Sequence, residues 1–205
     1  MSLVFYVEYK MKKIVFLHGS GADKNRYAEL CDTIAKYCGC ELVCFNAPFT
    51  HYARPDKYQW FGKFENSGRR DAVISDYEYS LRYIKDKILA LNCNTKDIVL
   101  IGHSQGGGMA VHSGLEMNLG MVVAICPDLP YNIKYDLSGN TPIYWLEAAK
   151  DTLLDDNRKQ SYKLLPNGVD FHYAILPNSG HKDFENDFMN VIKNNEIPFL
   201  YKNTR

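Results

Sequence analysis

The sequence lacks an excess of charge of either sign. It contains 24 Lys and Arg residues and 24 Asp and Glu residues, so its formal net charge is zero. A protein that binds nucleic acid takes much of its affinity from a basic surface. The balanced composition therefore argues against nucleic acid as a partner.

Long hydrophobic runs are also missing. No stretch approaches the ~18 apolar residues of a membrane-spanning helix, so we expect no stable membrane insertion. The short apolar run at residues 1–7 has no basic segment before it, and Glu8 follows at once, which is unlike a secretory signal peptide. The expected location is therefore the cytoplasm.

The cysteines do not form a recognisable framework, and no linker divides the chain. There is no paired Cys-x-x-Cys, and no histidine stands at zinc-finger spacing, so small buried thiols are predicted rather than a metal site. No repeat, low-complexity segment or stretch rich in Pro, Gly and Ser is present. A length of 205 residues without such a boundary predicts one domain over residues 1–205.

What the sequence does contain is an alternation of short apolar runs with amphipathic helical patterns. This alternation predicts a three-layer α/β fold, with a mostly parallel sheet covered by helices on both faces. Residues 46–70 are interpreted as an irregular, aromatic-rich loop, which is too short for more than a minimal lid. Predicted strands cover residues 13–17, 41–45, 97–101, 121–125, 142–147 and 170–176, with a further edge strand at 3–9, and predicted helices cover residues 26–37, 71–91, 104–117, 155–165 and 182–193.

The strand predicted at 97–101 leads into the motif Gly102-His103-Ser104-Gln105-Gly106. A Gly-x-Ser-x-Gly pattern between a strand and a helix is typical of a nucleophile elbow, because the glycines leave room for a sharply turned serine. The helix that follows would direct its N-terminal amides towards the place where negative charge develops. Ser104 is therefore predicted to be a catalytic nucleophile, and the alternative is a glycine-rich helix start packed closely on the sheet.

A serine nucleophile needs a base, and the sequence offers six histidines. His181 is the best candidate, because the loop at 178–181 follows the last predicted strand. His51, in the aromatic loop, is the weaker alternative. His103 adjoins the serine but is expected to point away from it, and His172 lies within a predicted strand and is interpreted as structural.

The base in turn needs an acid that holds its tautomer. Asp151 follows the strand predicted at 142–147, and it gives the order Ser, Asp, His that this elbow uses along the chain. Asp128, after the preceding strand, is the alternative. Asp155 and Asp156 are interpreted as residues that open the next helix.

Acyl transfer also needs hydrogen-bond donors for the developing oxyanion. The backbone N–H of Gln105, which follows the nucleophile, is the first predicted donor. The second is the N–H of Ser20, with Gly21 as the alternative, in a His-Gly-x-Gly loop at 18–21 after the first predicted strand. Glycines in that loop would let its amides turn inward.

The aromatic residues of the 46–70 segment are predicted either to roof a substrate pocket or to pack as a small satellite core. The expected pocket residues are Trp60 and Phe61 of this segment, together with Leu129. Basic residues nearby could meet an acidic group of a substrate, although solvated surface charge is the preferred interpretation. These basic residues are Arg54, Lys63, Arg69 and Arg70.

Together, these segments resemble the phospholipase/carboxylesterase group of α/β-hydrolases, which includes acyl-protein thioesterases and small bacterial carboxylesterases. The resemblance spans about residues 14–188 and rests on L-H-G-S-G-A-D at 17–23, Q-W-F at 59–61, G-H-S-Q-G-G at 102–107, D-L-P at 128–130 and S-G-H at 179–181. It implies an α/β-hydrolase fold without metal or cofactor. The residues it implies are a triad of Ser104, Asp151 and His181, with the N–H groups of Ser20 and Gln105 as the oxyanion hole.

The expected function is therefore a serine hydrolase that cleaves small or medium carboxylic esters, or thioesters, through an acyl-enzyme. Its expected partner is a small-molecule ester. The sequence departs from thioesterase members at Ser20, at Ala149-Lys150 and at Pro127-Asp128, so the resemblance predicts the reaction rather than the acyl chain. A peptidase or amidase with the same triad and a non-catalytic binding protein of the same fold are the alternatives, and no oligomeric state is predicted.

Overall fold

The computed structural model describes residues 13–66, 69–135 and 139–198, which form ten strands and five helices. The strands are β1 (Lys13–Leu17), β2 (Glu41–Cys44), β3 (Phe49–His51), β4 (Arg54–Gln59), β5 (Lys63–Asn66), β6 (Arg69–Ala72), β7 (Ile98–His103), β8 (Met121–Ile125), β9 (Ile143–Ala148) and β10 (Phe171–Leu176). The helices are α1 (Ala28–Cys38), α2 (Ile74–Leu89), α3 (Gln105–Met117), α4 (Asp156–Lys159) and α5 (Glu185–Lys193), and 3-10 turns cover Thr95–Asp97 and Gln160–Leu164.

Six of the strands form one sheet in the order β10-β9-β8-β7-β1-β2, and every neighbouring pair is parallel. In β1, Ile14 and Phe16 face one side of the sheet, whereas Val15 and Leu17 face the other, as the two-residue period of a strand requires. Because both sides are buried in the inner strands β1, β7, β8 and β9, these strands are apolar at nearly every position. The predicted α/β architecture is confirmed.

Helices cover both faces of this sheet. α1 and α5 pack through Ile34 and Phe188 against the face that carries Phe16, and α2 and α3 pack through Ile84 and Met109 against the opposite face. With the faces covered, the loops that follow β1, β7, β9 and β10 all emerge at the carboxyl edge of the sheet. In parallel sheets this edge is where binding and catalytic groups collect.

The interpretation of residues 46–70 as an irregular loop is wrong, because this segment forms two antiparallel hairpins. β3 pairs with β4, and β5 pairs with β6. The β4 sequence, Arg-Pro-Asp-Lys-Tyr-Gln, begins with three exposed residues and buries none of its side chains completely. β4 pairs with β3 and, through Tyr58, with Ala22, and it lies outside the central sheet. Such a surface strand has no apolar alternation, so hydrophobic periodicity could not reveal it.

Several helices are shorter than predicted. α2 begins at Ile74 because residues 71 and 72 pair in β6. Residues 155–165, expected to be one helix, form the single turn α4 and a 3-10 turn, and Asp155 opens α4 by accepting the N–H of Arg158 at 2.9 Å. No helix in the described ranges is long and apolar enough to cross a membrane. The edge strand predicted at 3–9 lies outside the described residues.

All six cysteines lie in the described ranges and none of them forms a disulfide there, and half of them are buried. Cys31, Cys38 and Cys126 are buried, whereas the other three are partly exposed. The Sγ atoms of Cys31 and Cys44 lie 3.5 Å apart, at the contact between α1 and β2. The predicted burial of thiols therefore holds for three of the six.

Candidate active site

Ser104 lies at the sharp turn between β7 and α3. Its backbone has φ 52° and ψ −119°, a conformation that residues other than glycine rarely adopt. Its N–H donates to the carbonyl of Ile125 in β8 at 2.9 Å, which fixes the turn on the sheet. The hydroxyl is therefore held at the carboxyl edge of the sheet, beside the first turn of α3.

Close backbone contacts require both glycines of the motif. A Cβ atom at Gly102 would lie 2.2 Å from the carbonyl oxygen of Gly106, and a Cβ atom at Gly106 would lie 2.4 Å from the carbonyl oxygen of His18. A Cβ atom at Gly19 would lie 3.4 Å from the Cβ of Ser104. The loop after β1 thus packs directly against the elbow, at distances that exclude larger residues at the two motif glycines.

The structure brings Ser104, His181 and Asp151 together. His181 Nε2 lies 3.0 Å from Ser104 Oγ, and His181 Nδ1 lies 2.6 Å from Asp151 Oδ2. Because a carboxylate only accepts hydrogen bonds, Nδ1 carries the proton and donates to Asp151. Nε2 is then the acceptor for the serine hydroxyl proton, which is the arrangement that a general base needs.

Backbone donors orient the Asp151 carboxylate. Its Oδ1 accepts the N–H groups of Leu153 at 2.8 Å and Leu154 at 3.1 Å. Burial alone would raise the pKa of Asp151, but the hydrogen bond and charge of His181 and these two N–H groups bring that pKa below its usual value. Asp151 is therefore a fixed anion beside His181.

The two predicted oxyanion donors belong to the segments that meet at Ser104. Gln105 is the first residue of α3, and the first N–H groups of a helix have no carbonyl partner within it. Ser20 lines the cavity at Ser104. The neighbouring N–H of Gly21 donates to the carbonyl of Tyr58 in β4 at 2.9 Å, so the hairpin holds the Ser20 loop in place.

Ser104 and His181 open into a cavity of about 790 Å³, which is within the usual range for small-molecule sites. The loop at 19–23 forms one part of its wall, and the β3–β4 turn at 51–54 forms another. Further parts of the wall come from Leu153, Leu154 and Arg158, from residues 25–27, and from the two hairpins. The cavity is therefore built from the loops at the carboxyl edge of the sheet.

Three of the basic residues interpreted as solvated surface charge, Arg54, Lys63 and Arg70, line this cavity. Arg54 is exposed, so solvation and a place in the wall are compatible for it, whereas Arg70 is paired with Asp128 at 2.7 Å. The Arg69 side chain lies outside the described part of the chain. Composition could not show this placement, because it depends on how the two hairpins fold over the edge of the sheet.

His103 holds the base in position, a role that the sequence reasoning missed. Its Nε2–H donates to the backbone carbonyl of His181 at 2.7 Å, and its Nδ1 accepts from the Tyr27 hydroxyl at 3.0 Å. Its ring also stacks on Phe184, with centroids 4.8 Å apart. Burial, with the nearby charge of His181, lowers the pKa of His103 to about 3, so it stays neutral. No local pattern signals this role, since its partners are distant in sequence.

Comparison with protein families gives one match that covers most of the chain. Residues 7–197 match the family described as phospholipase/carboxylesterase. The chain belongs to this family. Membership supports a hydrolase of the esterase kind on an α/β-hydrolase fold. A search of curated protein sequences gives no match.

Solved structures similar to this phospholipase/carboxylesterase family member share its fold at low sequence identity. Esterase PE8 is 21% identical, with a TM-score of 0.71, over 90% of this chain and 92% of that one. SOBER1 from Arabidopsis thaliana is 20% identical, with a TM-score of 0.70, over 89% and 98% of the two chains. A phospholipase/carboxylesterase from Dyadobacter fermentans DSM 18053 is 16% identical, with a TM-score of 0.61, over 88% of each chain.

The assignment of Trp60, Phe61 and Leu129 as pocket residues is wrong for this family member. They are 0%, 1% and 0% exposed and do not belong to the cavity wall. The Trp60 N–H donates to Gln105 Oε1 at 2.8 Å, and Gln105 Nε2 donates to the Phe61 carbonyl at 2.8 Å. These aromatic residues are packed core that ties the hairpin segment to the elbow.

The alternative acid and base candidates have other partners. Asp128 accepts from Arg70 at 2.7 Å, and Asp155 opens α4. His51, the alternative base, accepts the N–H of Ala53 at 3.2 Å, and its ring stacks on Tyr52 with centroids 4.7 Å apart. None of these contacts involves Ser104, which leaves His181 and Asp151 as the pair that the geometry favours.

One group of side chains has the spacing of metal ligands. Cys126 Sγ, an Asp151 carboxylate oxygen and a His181 ring nitrogen lie within 4.8 Å of one another. Burial raises the pKa of the Cys126 thiol to about 12, so a metal ion would have to displace a tightly held proton to gain this sulfur as a ligand. The short contact between His181 and Asp151 also occupies both of those groups. The donor set therefore does not fit a resident metal ion.

Proposed function

We propose that the protein is a serine esterase that hydrolyses small or medium carboxylic esters through an acyl-enzyme. The observation that carries this proposal is the continuous hydrogen-bonded series from Ser104 Oγ to His181 and on to Asp151, with distances of 3.0 and 2.6 Å. Membership of the phospholipase/carboxylesterase family supports the same reaction class.

In the proposed mechanism, Ser104 Oγ attacks the ester carbonyl carbon while its proton passes to His181 Nε2. The C–O bond to the alcohol then breaks, and the alcohol leaves with that proton. Water deacylates the enzyme in the reverse sense, with His181 again as the base, and releases the carboxylic acid. The charge of Asp151 stabilises the imidazolium, and the N–H groups of Ser20 and Gln105 stabilise the oxyanion.

The composition of the cavity wall supports a short acyl chain. Among its described residues, the aliphatic contribution comes from two alanines and from Leu153 and Leu154. The large aromatic side chains of Trp60 and Phe61, which could have lined an acyl tunnel, are instead buried in the core. A long acyl chain would therefore find little apolar surface to bury.

Labelling with a fluorophosphonate probe tests the nucleophile. The native protein should be labelled, because attack by Ser104 Oγ expels fluoride and leaves a stable phosphonyl-serine. The Ser104→Ala variant should not be labelled. Ser113→Ala is the matched control, since Ser113 is a buried serine of the same helix that does not line the cavity. Equal labelling of Ser104→Ala, or no labelling of the native protein, would overturn the proposal.

Hydrolysis of p-nitrophenyl acetate, compared with hydrolysis of amino-acid p-nitroanilides, tests the reaction class. We expect the ester to be cleaved and the anilides to be cleaved far more slowly. Faster cleavage of the anilides would instead assign the same triad to a peptidase or amidase.

A further inference from the structure

The cavity at Ser104 has a basic wall. Seven basic residues line it, and Asp23 is the acidic residue among its described lining. The whole chain carries equal numbers of acidic and basic residues, so this excess is a local feature. The basic lining residues are Arg26, Arg54, Lys57, Lys63, Arg70, Arg158 and Lys182.

Four of these basic side chains are paired with carboxylates that fix them in place. The distances from the basic nitrogen to the carboxylate oxygen lie between 2.6 and 3.3 Å. Asp23, the acidic residue of the wall, is one of them and is held by Lys57 at 2.6 Å. The pairs are Arg26 with Glu185, Lys57 with Asp23, Arg70 with Asp128, and Arg158 with Asp155.

Arg54 and Lys182 differ, because neither has a carboxylate partner among the described residues. Arg54 Nη1 donates to the backbone carbonyl of Gly21 at 3.2 Å, which uses one of the five N–H donors of a guanidinium. Lys182 directly follows the base His181 and lines the same cavity. Both cations are therefore available to a bound anion.

Arg54 lines the same cavity as Ser104 and contacts the loop that carries Ser20. Gly21 adjoins Ser20, and a Cβ atom at Gly21 would lie 3.4 Å from Arg54 Nη1 and from the His51 ring. The guanidinium is thus next to the proposed oxyanion loop. The pKa of His51 is lowered by burial and by the charges of Arg54 and Lys63, which is consistent with a positive field at this side of the cavity.

We propose that the preferred substrates are esters carrying a carboxylate a few bonds from the scissile carbonyl, and that Arg54 is the specificity-determining residue that binds this carboxylate. A guanidinium and a carboxylate match in planar geometry and can form two parallel hydrogen bonds. Lys182 adds a second positive charge from the loop that carries His181. This inference rests on the proposed esterase function, because Ser104 must be the nucleophile for Arg54 to be near the reacting atoms.

Matched ester pairs test the proposal. The acyl-side pair is mono-p-nitrophenyl glutarate with p-nitrophenyl pentanoate, which have the same chain length and differ in the terminal carboxylate. The alcohol-side pair is 4-acetoxybenzoate with phenyl acetate. We expect kcat/KM to favour the anionic member in at least one pair, after subtraction of spontaneous hydrolysis, and the favoured pair identifies the side that carries the charge.

Substitutions assign the preference to Arg54. We expect Arg54→Gln to reduce the anionic-to-neutral ratio of kcat/KM, because the variant loses the charge that binds the carboxylate. The reduction should be about fivefold or more, which is modest because Arg54 is exposed to water. Arg54→Lys should restore part of the ratio. Lys182→Gln should also lower the ratio. Arg82→Gln, which removes an exposed arginine of α2 outside the cavity, is the control and should leave the ratio unchanged. The preference should weaken as salt is raised, because exposed charges are screened.

The outcomes separate this inference from the proposed function. Hydrolysis of both esters in each pair at equal kcat/KM, or a preference that Arg54→Gln leaves intact, would overturn the role of Arg54 while Ser104 remains the nucleophile. Hydrolysis of none of the esters, together with no fluorophosphonate labelling, would overturn the esterase proposal and this inference with it.

Discussion

At the scale of single residues, hydrogen bonds to neighbouring groups hold the side chains of the site in fixed orientations. Asp151 is the best example, because one carboxylate oxygen accepts from His181 and the other accepts from two backbone N–H groups. The tautomer of His181 follows from this arrangement, so the basicity of Nε2 depends on a residue that does not touch the substrate.

The substitution Asp151→Asn tests that dependence. An amide at this position can donate to Nδ1, which favours the tautomer with the proton on Nε2 and removes the acceptor for the serine proton. We expect kcat for p-nitrophenyl acetate to fall by about 10³–10⁴-fold at neutral pH, with the fold intact. The measurement is steady-state kinetics with circular dichroism as a check of folding.

Asp155→Asn is the matched control for this change. Asp155 opens α4, and asparagine serves that position as well as aspartate does, so kcat should remain within about twofold of the native value. An Asp151→Asn variant as active as this control would show that Asp151 does not orient the base.

Residue by residue, the sequence predicts the juxtaposition of Ser104, Asp151 and His181 because each lies in the turn or loop that follows a predicted strand. It does not predict the contacts of His103, which depend on the relative placement of β7 and the loop after β10. It also misplaces Trp60, because an aromatic side chain in a polar segment is equally compatible with a pocket wall and with core.

At the scale of secondary-structure elements, the elbow and the loop after β1 are packed backbone to backbone. A Cβ atom at Gly106 would meet the carbonyl oxygens of His18 and Leu17 at 2.4 and 2.5 Å. Neither contact can be relieved by turning a flexible side chain, so β1 and α3 would have to separate. The proposed oxyanion donors lie on these two elements, and their spacing would change with that separation.

Gly106→Ala should therefore lower both stability and activity. We expect a lower melting temperature, and a loss of kcat of about 10²-fold or more because removal of one oxyanion donor costs about 10²–10³. Gly39→Ala is the control, since it strains a left-handed position with φ 65° at the end of α1 but has open space around its Cβ. It should cost about 1–2 kcal/mol of stability and leave kcat unchanged. A fully active Gly106→Ala variant would contradict the proposed geometry.

Element prediction from the sequence succeeds for the six-stranded sheet and fails for the hairpins. Strands β7, β8 and β9 are buried along their whole length. Their sequences are therefore continuous apolar runs, which can be recognised without a structure. β4 instead gains its stability from backbone hydrogen bonds to β3 and to the loop at 21–22. Backbone pairing leaves no trace in side-chain hydrophobicity, so the hairpins were interpreted as loop.

At the scale of the whole molecule, buried neutral histidines make folding sensitive to acid. Burial lowers the pKa of His18, His103 and His112 in the folded protein, whereas the unfolded chain takes up protons near the ordinary histidine value of about 6.5. The unfolded state therefore binds more protons below that pH, and stability falls as pH decreases. For His103 this loss extends from about pH 6.5 towards pH 3, since its folded pKa is about 3. Asp151, whose pKa is lowered, adds a further loss only below the usual aspartate range.

His103→Gln should reduce this acid sensitivity. Glutamine can still donate to the His181 carbonyl but has no proton to take up, so the free energy of unfolding should fall less steeply between about pH 6.5 and pH 4. Each fully shifted group contributes about 1.4 kcal/mol per pH unit. Urea denaturation at several pH values is the measurement. His172→Gln, which removes a partly exposed ring on β10, serves as the control. Equal pH slopes for native protein and His103→Gln would rule out this origin of the acid sensitivity.

The hydrogen bond between Ser104 and His181 joins residues 77 positions apart in the chain, and the site includes Asp151 between them. None of the three side chains has a catalytic neighbour within its own strand and loop. The proposed triad is consequently a property of the complete topology, because its three side chains come together only when β7, β9 and β10 are all in the sheet. Under the proposed mechanism, a folding intermediate with a complete elbow but without β10 in the sheet would lack the base and would not hydrolyse esters.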